Sequence, residues 1–330
     1  MTGQPEPPST HLPGAPTLSV AVPVYMEEDG IGEFHRRLVG ALDRLTDGDT
    51  WEIVYVDDGS CDATPHFLSA LADADSRVRV LTFSRNFGHQ AAITAAMEHS
   101  SGQAIVVIDS DLQDPPEVIL EMVAAWRGGA QVVYGQRRQR AGESFFKKAT
   151  AAIFYRMLKW LSEVDIPRNV GDFRLIDRCV ADILQSMPER SRYVRGMVAW
   201  IGFRQVPVIY DRDARFAGTT KYPFRKMLKF ALDATTSFSD KPLRLATRIG
   251  VFFLLLALAG STYLVIAQLF LTSATAPGWA SIMVVVLLFG AVQLLSIGLL
   301  GEYVGRIFRQ VQFRPQYIVG HDTREEIART

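Results

Sequence analysis

Residues 249–301 contain no Asp, Glu, Lys or Arg, and the uncharged stretch is interrupted only near Pro277. Each half is close to the roughly 20 residues that a helix needs to cross the hydrocarbon core of a bilayer. Two transmembrane helices are therefore predicted, at about 249–271 and 279–301, as a hairpin within a membrane segment at 244–305. The alternative is a helical hairpin buried in a soluble core, but globular helices normally keep a polar face.

Basic residues flank the uncharged stretch on both sides, and the connecting loop has none. They are Lys241, Arg244 and Arg248 before the first helix and Arg306, Arg309 and Arg314 after the second. The positive-inside rule places such flanks in the cytoplasm. The sequence therefore predicts a multi-pass protein whose N-terminal domain and both termini are cytoplasmic, with residues 306–330 as a cytoplasmic tail.

The charge balance and the N-terminus exclude several classes of protein. Lys plus Arg equals Asp plus Glu, at 35 each, so the basic excess of a general nucleic-acid binder is missing. No nucleic-acid partner is expected. Residues 1–16 are rich in Pro, Thr and Gly and lack the apolar core of a signal peptide, so they are predicted to be a disordered leader.

Residues 17–243 are predicted to form a cytoplasmic α/β domain, because strand and helix patterns alternate along its first half. The predicted strands are Leu18–Val22, Glu52–Val56, Val78–Phe83, Ala104–Ile108 and Gln131–Tyr134, and the helices between them include Ile31–Leu45 and Gly88–His99. This alternation favours a mostly parallel, Rossmann-like sheet with helices on both faces. In such sheets ligands bind at the carboxyl ends of the strands.

Two segments of this domain, about 144–161 and 222–238, combine Lys and Arg with aromatic and aliphatic residues. This composition suits amphipathic helices that lie in a membrane interface. The alternative is that both are ordinary helices packed on the sheet with solvated basic side chains. Their position beside the predicted hairpin favours the membrane interface.

An acidic turn, Asp-Asp-Gly-Ser at 57–60, follows the predicted strand at 52–56. A second acidic motif follows the predicted strand at 104–108, where Asp109 and Asp111 stand one residue apart before Gln113. Two carboxylates at this spacing can share a Mg²⁺ or Mn²⁺ ion, since both ions prefer oxygen ligands. The ion would neutralise charge that develops on a departing nucleotide diphosphate. A turn followed by a helix cap is the alternative reading of this motif.

Four motifs together resemble the inverting glycosyltransferases of family 2. They are Pro-Val-Tyr at 23–25 followed by Glu27, DDGSxDxT at 57–64, RNxG at 85–88 and DxDLQDPP at 109–116. The resemblance implies the nucleotide-sugar-binding fold called GT-A. Met26 departs from the pattern, which usually has Asn at this position.

Later stretches are similar to the polyprenyl-phosphate branch of that family, with bactoprenol glucosyltransferases and dolichol-phosphate mannose synthases as the types. These stretches are 170–175, 193–196 and 210–222, and the resemblance covers nearly the whole chain. It implies inverting transfer of a sugar from a UDP-linked donor to undecaprenyl or another polyprenyl phosphate for cell-envelope glycans. Glucose is the first choice of sugar by resemblance, and mannose, galactose-type sugars and aminoarabinose remain as alternatives. It also implies the bacterial inner membrane and a homo-oligomer, a tetramer in bacterial relatives.

The resemblance also implies roles for particular residues. The nucleotide-sugar-binding set is Pro23, Tyr25, Glu27, Asp57, Asp58, Asp109 and Ser110. The metal ligands are Asp111, Gln113 and Asp109. The phosphate- and acceptor-binding set is Arg137, Arg138, Arg140, Arg212, Arg215 and Lys221, since arginine binds phosphate through a bidentate fork.

Asp172 is the candidate catalytic carboxylate. A phosphate monoester loses its second proton near pH 6, so the acceptor is already largely dianionic and needs positioning more than deprotonation. Asp172 is expected to orient the acceptor or to take its last proton; the alternative is a helix-capping Asp. The four histidines of the domain, His35, His66, His89 and His99, have no metal-ligand spacing and are expected to be structural or exposed.

Two other functions remain as alternatives. A processive polysaccharide synthase would carry a Gln-x-x-Arg-Trp signature and more membrane helices, and the sequence shows neither. A non-catalytic membrane scaffold would tolerate a degraded acidic motif, whereas the acidic motif here is intact. Phosphate-binding loops of the Walker and dinucleotide types are absent, which excludes kinase and dehydrogenase readings.

Overall fold

The structure is a computed structural model that describes residues 15–46, 48–138, 170–190, 192–211 and 279–324, with scattered helical positions between 243 and 266. Both predicted interface helices and most of the predicted leader lie outside these residues. The chain forms two compact units. The first comprises Met1–Ala149, Val164–Pro223 and Arg314–Thr330, and the second comprises Thr150–Glu163 and Phe224–Phe313.

The described part of the first unit is built on an eight-stranded sheet with the order β7-β5-β6-β4-β1-β2-β3-β8. The strands are β1 Leu18–Val24, β2 Trp51–Asp57, β3 Val78–Phe83, β4 Ala104–Val107, β5 Val132–Arg137, β6 Val170–Asp177, β7 Gln205–Tyr210 and β8 Val319–Asp322. The five strands predicted from sequence are confirmed, with ends shifted by a few residues. Every residue of β1, β2 and β4 is buried, as expected for strands that are covered on both faces.

Helices cover this sheet and connect its parallel strands. They are α1 Ile31–Leu42, α2 Thr64–Ala74, α3 His89–Glu98, a short 3₁₀ turn at Pro116–Val118, α4 Ile119–Arg127, α5 Arg178–Ser186 and α6 Val194–Ile201. Strands β3, β2, β1 and β4 are mutually parallel, as predicted. Strands β6 and β8 run antiparallel to the strands beside them. The sequence does not predict this direction, because it depends on pairing with distant strands that a local pattern does not reveal.

The register between β4 and β6 determines which residues meet at one edge of the sheet. Ala104 lies opposite Asp177, and Val107 lies opposite Arg174. Continuing this antiparallel register by two residues brings Asp109 opposite Asp172. The end of β4 and the beginning of β6 therefore deliver one acidic residue each to the carboxyl edge of the parallel strands, where ligands bind in this class of sheet.

The chain after the uncharged stretch returns to the sheet as β8, an element that the sequence does not predict. Asp322 in β8 forms an ion pair of 2.6 Å with Arg79 in β3. The Tyr317 ring stacks on Phe83 with 5.0 Å between ring centroids, and its hydroxyl donates to Glu98. The residues predicted as a tail thus include an ordered edge strand, which was missed because four residues are too few for a clear alternating pattern.

The second unit contains α7, Trp279–Val311. Its start agrees with the predicted second transmembrane helix, but it continues past the predicted end at 301, so Arg306 and Arg309 lie within the helix rather than after it. An ion pair of 3.3 Å between Arg306 and Glu302, one turn apart, supports this continuation.

Candidate functional site

Asp57 ends β2 at the predicted acidic turn. One of its carboxylate oxygens accepts a hydrogen bond of 3.1 Å from the Ser60 backbone N–H. The other, Oδ2, is buried and has no hydrogen-bond partner among the described residues. Burial raises the pKa of Asp57 above its usual value. A buried oxygen without a partner is costly unless a ligand supplies one, which fits the predicted donor-binding role.

Asp58 holds the loop that leads from β3 into α3. Its carboxylate accepts hydrogen bonds from the backbone N–H groups of Phe87, at 2.6 Å, and Gly88, at 2.9 Å. Gly59 has φ +70°, and a Cβ there would lie 2.5 Å from the backbone carbon of Arg85. The two loops are therefore in backbone contact. The predicted contact of Asp58 with the donor is untested, and its geometry gives it a positioning role that the sequence does not predict.

The turn after β1 lies against the same acidic turn. The Met26 N–H donates to the Ser60 hydroxyl at 2.9 Å, and the Glu27 N–H donates to the Thr64 hydroxyl at 2.9 Å. Tyr25 is exposed. The structure thus brings the predicted nucleotide-sugar residues of the first two strands together.

Met26 adopts a left-handed backbone conformation with φ +56°. Asn tolerates this conformation better than Met, because its short polar side chain makes local hydrogen bonds. We expect Met26→Asn to raise the melting temperature in detergent by about 2 °C, equivalent to roughly 0.5–1 kcal/mol. The matched variant Met26→Val, with a β-branched side chain, should lower it. A lower melting temperature for the Asn variant would contradict this explanation.

The DxD motif follows β4 directly. The buried Ser110 hydroxyl donates to the Pro23 carbonyl at 3.3 Å, and Asp111 Oδ1 accepts from the Gln113 N–H at 3.1 Å. Leu112, between them, is buried with φ +57°. Burial raises the pKa of Asp109 to about 6. This turn places three oxygen-bearing side chains at the carboxyl edge of the sheet, those of Asp109, Asp111 and Gln113.

Asp172 lies in β6 and is almost completely buried, so the helix-cap alternative is wrong. Arg195 donates to both of its oxygens, through Nε and Nη2, at 2.8 Å each. The fully buried Arg174 donates to the backbone carbonyls of Asp172, at 3.2 Å, and Gly171, at 3.0 Å. Burial would raise the pKa of Asp172, but hydrogen bonds from His89 and Arg195 outweigh it and hold this pKa well below its usual range.

His89 is exposed, as the sequence-based expectation allows, but its imidazole lies beside the acidic cluster, which the sequence does not predict. Its Nε2 atom is 3.2 Å from Asp172 Oδ2 and 3.5 Å from Asp109 Oδ1. Burial would lower the pKa of His89, but the hydrogen bond with Asp172 and the charge of Asp109 raise it. The signal in the sequence is its place immediately after the RNxG motif. Arg195 was likewise present in a motif, at 193–196, but without a predicted role.

Two predicted phosphate-binding residues make other contacts in the structure. Arg137 donates to the buried Asp114 carboxylate at 3.3 Å and to the Tyr210 hydroxyl at 3.2 Å, and Tyr210 also donates to Asp114. Arg137 therefore neutralises a buried carboxylate and joins the ends of β5 and β7. Arg138 forms an exposed ion pair of 3.2 Å with Asp211.

The remaining predicted phosphate-binding residues, Arg140, Arg212, Arg215 and Lys221, lie outside the described residues.

The oxygen donors at the site fit a divalent cation. Asp109 Oδ1 is buried and, among the described residues, accepts no hydrogen bond. Asp111 and Gln113 add carboxylate and amide oxygens in the same turn. Across the described parts of the chain, no group of three or more His, Cys, Asp or Glu is arranged to hold a metal ion. Mg²⁺ is commonly bound by only one or two carboxylates, with substrate phosphates and water as its other ligands.

The sheet and its acidic edge define a class of protein. Parallel strands in the order β3-β2-β1-β4, with acidic turns after β2 and β4, form the nucleotide-sugar-binding fold of GT-A glycosyltransferases. Residues 19–183 match the family model "Glycosyl transferase family 2", and residues 241–307 match "GtrB C-terminal hairpin". The chain belongs to glycosyl transferase family 2 and is a glycosyltransferase.

Similar proteins extend over most of the chain. The uncharacterized glycosyltransferase YkcC of Bacillus subtilis (strain 168) is 49% identical over 304 residues, covering 91% of this chain and 92% of YkcC. The bactoprenol glucosyl transferase of Shigella phage SfII is 39% identical over 302 residues, covering 92% of this chain and 97% of the relative.

Among solved structures, glucosyl-3-phosphoglycerate synthase from Mycobacterium tuberculosis in complex with Mn²⁺, uridine diphosphate and phosphoglyceric acid is 20% identical, with a TM-score of 0.46. The match covers 69% of this chain and 83% of that one.

The apolar helices and the hairpin match indicate a membrane-associated enzyme. By length and composition, α7 can cross a membrane over Leu288–Val311, and a shorter apolar helix, Gly250–Gly260, lies within the predicted first transmembrane helix. The hairpin model, at 241–307, covers the shorter helix and all but the last four residues of Leu288–Val311.

Proposed function

We propose that this enzyme transfers glucose from UDP-glucose to undecaprenyl phosphate, or another polyprenyl phosphate, at the cytoplasmic face of the bacterial inner membrane. The observation that carries the proposal is the similarity to a bactoprenol glucosyl transferase over 92% of this chain, including the hairpin. The product is a lipid-phosphate-linked sugar for cell-envelope glycans. Assembly as a homo-oligomer, a tetramer by resemblance, belongs to the same proposal.

The return of the chain to the sheet supports two membrane crossings. Residues before and after the uncharged stretch belong to one folded unit, since β8 pairs with β3. A chain that leaves and re-enters the same folded unit crosses a bilayer an even number of times. Because the basic flanks favour the cytoplasm, we place the catalytic domain, 17–243 together with the β8 segment, on that side with both termini.

The donor is proposed to bind along the carboxyl edge of β1, β2 and β4. Its nucleoside contacts the unpaired oxygen of Asp57 and the turn that carries Tyr25. A bound Mg²⁺ or Mn²⁺ supplies charge neutralisation for the diphosphate, and Asp109, Asp111 and Gln113 are the residues that would hold it. Arg138 and the predicted basic residues 212–221 would contact phosphates of the donor and acceptor.

The acceptor phosphate attacks the anomeric carbon while the bond from that carbon to the UDP oxygen breaks, so UDP leaves and the anomeric configuration inverts. The pKa of Asp172 supports a positioning role rather than proton transfer. A carboxylate that accepts two hydrogen bonds from Arg195 and one from His89 is a weak base. The acceptor is already largely dianionic at neutral pH, so this weakness does not impede the reaction.

The test uses purified protein in detergent with undecaprenyl phosphate, Mg²⁺ or Mn²⁺, and a panel of radiolabelled nucleotide sugars. Metal-dependent label in the organic phase from UDP-glucose, with a β-linked product from the α-linked donor, is expected. Label from a different donor would correct the sugar. No lipid labelling from any donor that binds, or a product of retained configuration, would overturn the proposed function.

A further inference from the structure

We propose that His89 is the positioning residue that joins the donor side of the site to the acceptor side, by holding Asp109 and Asp172 in one fixed arrangement. This inference rests on the proposed function, since the two sides are defined by it. Its basis is the position of His89 Nε2 within 3.2 Å of Asp172 and 3.5 Å of Asp109.

The two carboxylates need a group between them. Extending the register of β4 and β6 by two residues beyond Val107 and Arg174 brings Asp109 opposite Asp172, and both side chains are substantially screened from solvent. Like charges in such an environment repel strongly. Asp172 has Arg195 as a direct partner, whereas Asp109 Oδ1 accepts no hydrogen bond among the described residues. His89 is the described side chain that contacts both.

The position of the His89 backbone is fixed by a hydrogen bond to the residue before it. Gly88, which precedes it, has φ +101°, and its N–H is bound by the buried Asp58 carboxylate at 2.9 Å. His89 is the first residue of α3, so its ring projects from a rigid helix rather than from a loop. The acidic turn at residues 57–59 therefore determines where the His89 imidazole lies. The imidazole contacts Asp109 of the DxD motif.

Gln90, the residue after His89, links the start of α3 to the start of α6. The Gln90 side-chain carbonyl accepts a hydrogen bond of 3.1 Å from the Val194 N–H, at the start of α6. Arg195, the following residue in α6, carries the guanidinium that binds Asp172. Two consecutive side chains at the start of α3 thus tie together the end of β4, the start of β6 and the start of α6.

This arrangement predicts a kinetic signature. Misplacing reacting groups by about 1 Å can cost 10²-fold in rate, whereas weak effects on ground-state binding leave KM nearly unchanged. We expect His89→Ala to lower kcat by about 10²-fold with little change in the KM for the donor. His66→Ala, at an exposed position on α2, is the matched control and should leave kcat unchanged.

The choice of substituent tests the contact itself. The amide nitrogen of Gln reaches the position of histidine Nε2, whereas that of Asn reaches only the position of Nδ1. We expect His89→Gln to recover most of kcat and His89→Asn to behave like His89→Ala, with melting temperatures recorded for all three. Equal kcat for the Gln and Asn variants, or a loss of kcat that follows melting temperature alone, would overturn the proposal.

The same series separates this inference from the proposed function. If the wild-type enzyme transfers no sugar to polyprenyl phosphate, the proposed function fails. The variants are then compared by their metal-dependent release of UDP from the donor, with water as the acceptor. The order Gln above Asn and Ala supports His89 in that assay too, and the absence of this order overturns it.

Discussion

Replacing Asp111 with Ala is expected to lower kcat/KM by about 10³-fold or more, which corresponds to roughly 4 kcal/mol of transition-state stabilisation. Asp111 lies in the turn after β4, where a divalent cation would bind the diphosphate of the donor. The loss should appear in lipid labelling and also in Mn²⁺ binding in the presence of UDP, followed by electron paramagnetic resonance. The second readout does not depend on turnover.

The matched control for this change is Asp73→Ala, which removes an exposed carboxylate on α2 and should leave both readouts unchanged. Asp111→Ala should also leave the melting temperature nearly unchanged, because Asp111 is partly exposed and sits in a turn. Full activity of Asp111→Ala, or a Mn²⁺ affinity equal to that of the wild type, would contradict the proposed metal site.

The second prediction with a large expected loss of activity concerns the ion pair between Asp172 and Arg195. Asp172→Asn leaves Arg195 without its carboxylate partner, and breaking a buried pair typically costs about 3–5 kcal/mol. We expect a large fall in both stability and kcat. Arg195→Gln should have a similar effect on kcat, because the two residues act as one unit, and the double variant should lose no more activity than either single variant.

The double variant distinguishes positioning from proton transfer. If Asp172 were a general base, its substitution would lower kcat well beyond the loss in Arg195→Gln, and the two effects would be nearly additive. The pair formed by Arg79 and Asp322, at 2.6 Å and away from the acidic edge, is the structural control. Asp322→Asn should lower the melting temperature while leaving kcat unchanged at temperatures where the protein is folded.

The acidic strand ends were predictable, and their partners were not. Asp57 and Asp109 each follow a short apolar run, and a parallel sheet brings such ends to one edge. The backbone of Phe87 and Gly88 binds Asp58, and His89, at the start of α3, lies beside Asp109. No spacing in the sequence marks either contact. Arg137 illustrates the converse: a basic cluster indicates phosphate binding, yet one of its members is paired with the buried Asp114.

The sequence by itself determined the uncharged hairpin, the alternation of strands and helices, and the acidic turns that mark the family. These features are encoded by hydropathy and by motifs within short windows, where burial of apolar surface and backbone preferences act locally. The tertiary structure alone decided that β8 completes the sheet, that β6 runs antiparallel beside β4, and that His89 and Arg195 meet at Asp172. Such contacts join residues far apart in the chain, and their stability comes from packing and shared burial, which exist only once the sheet has formed.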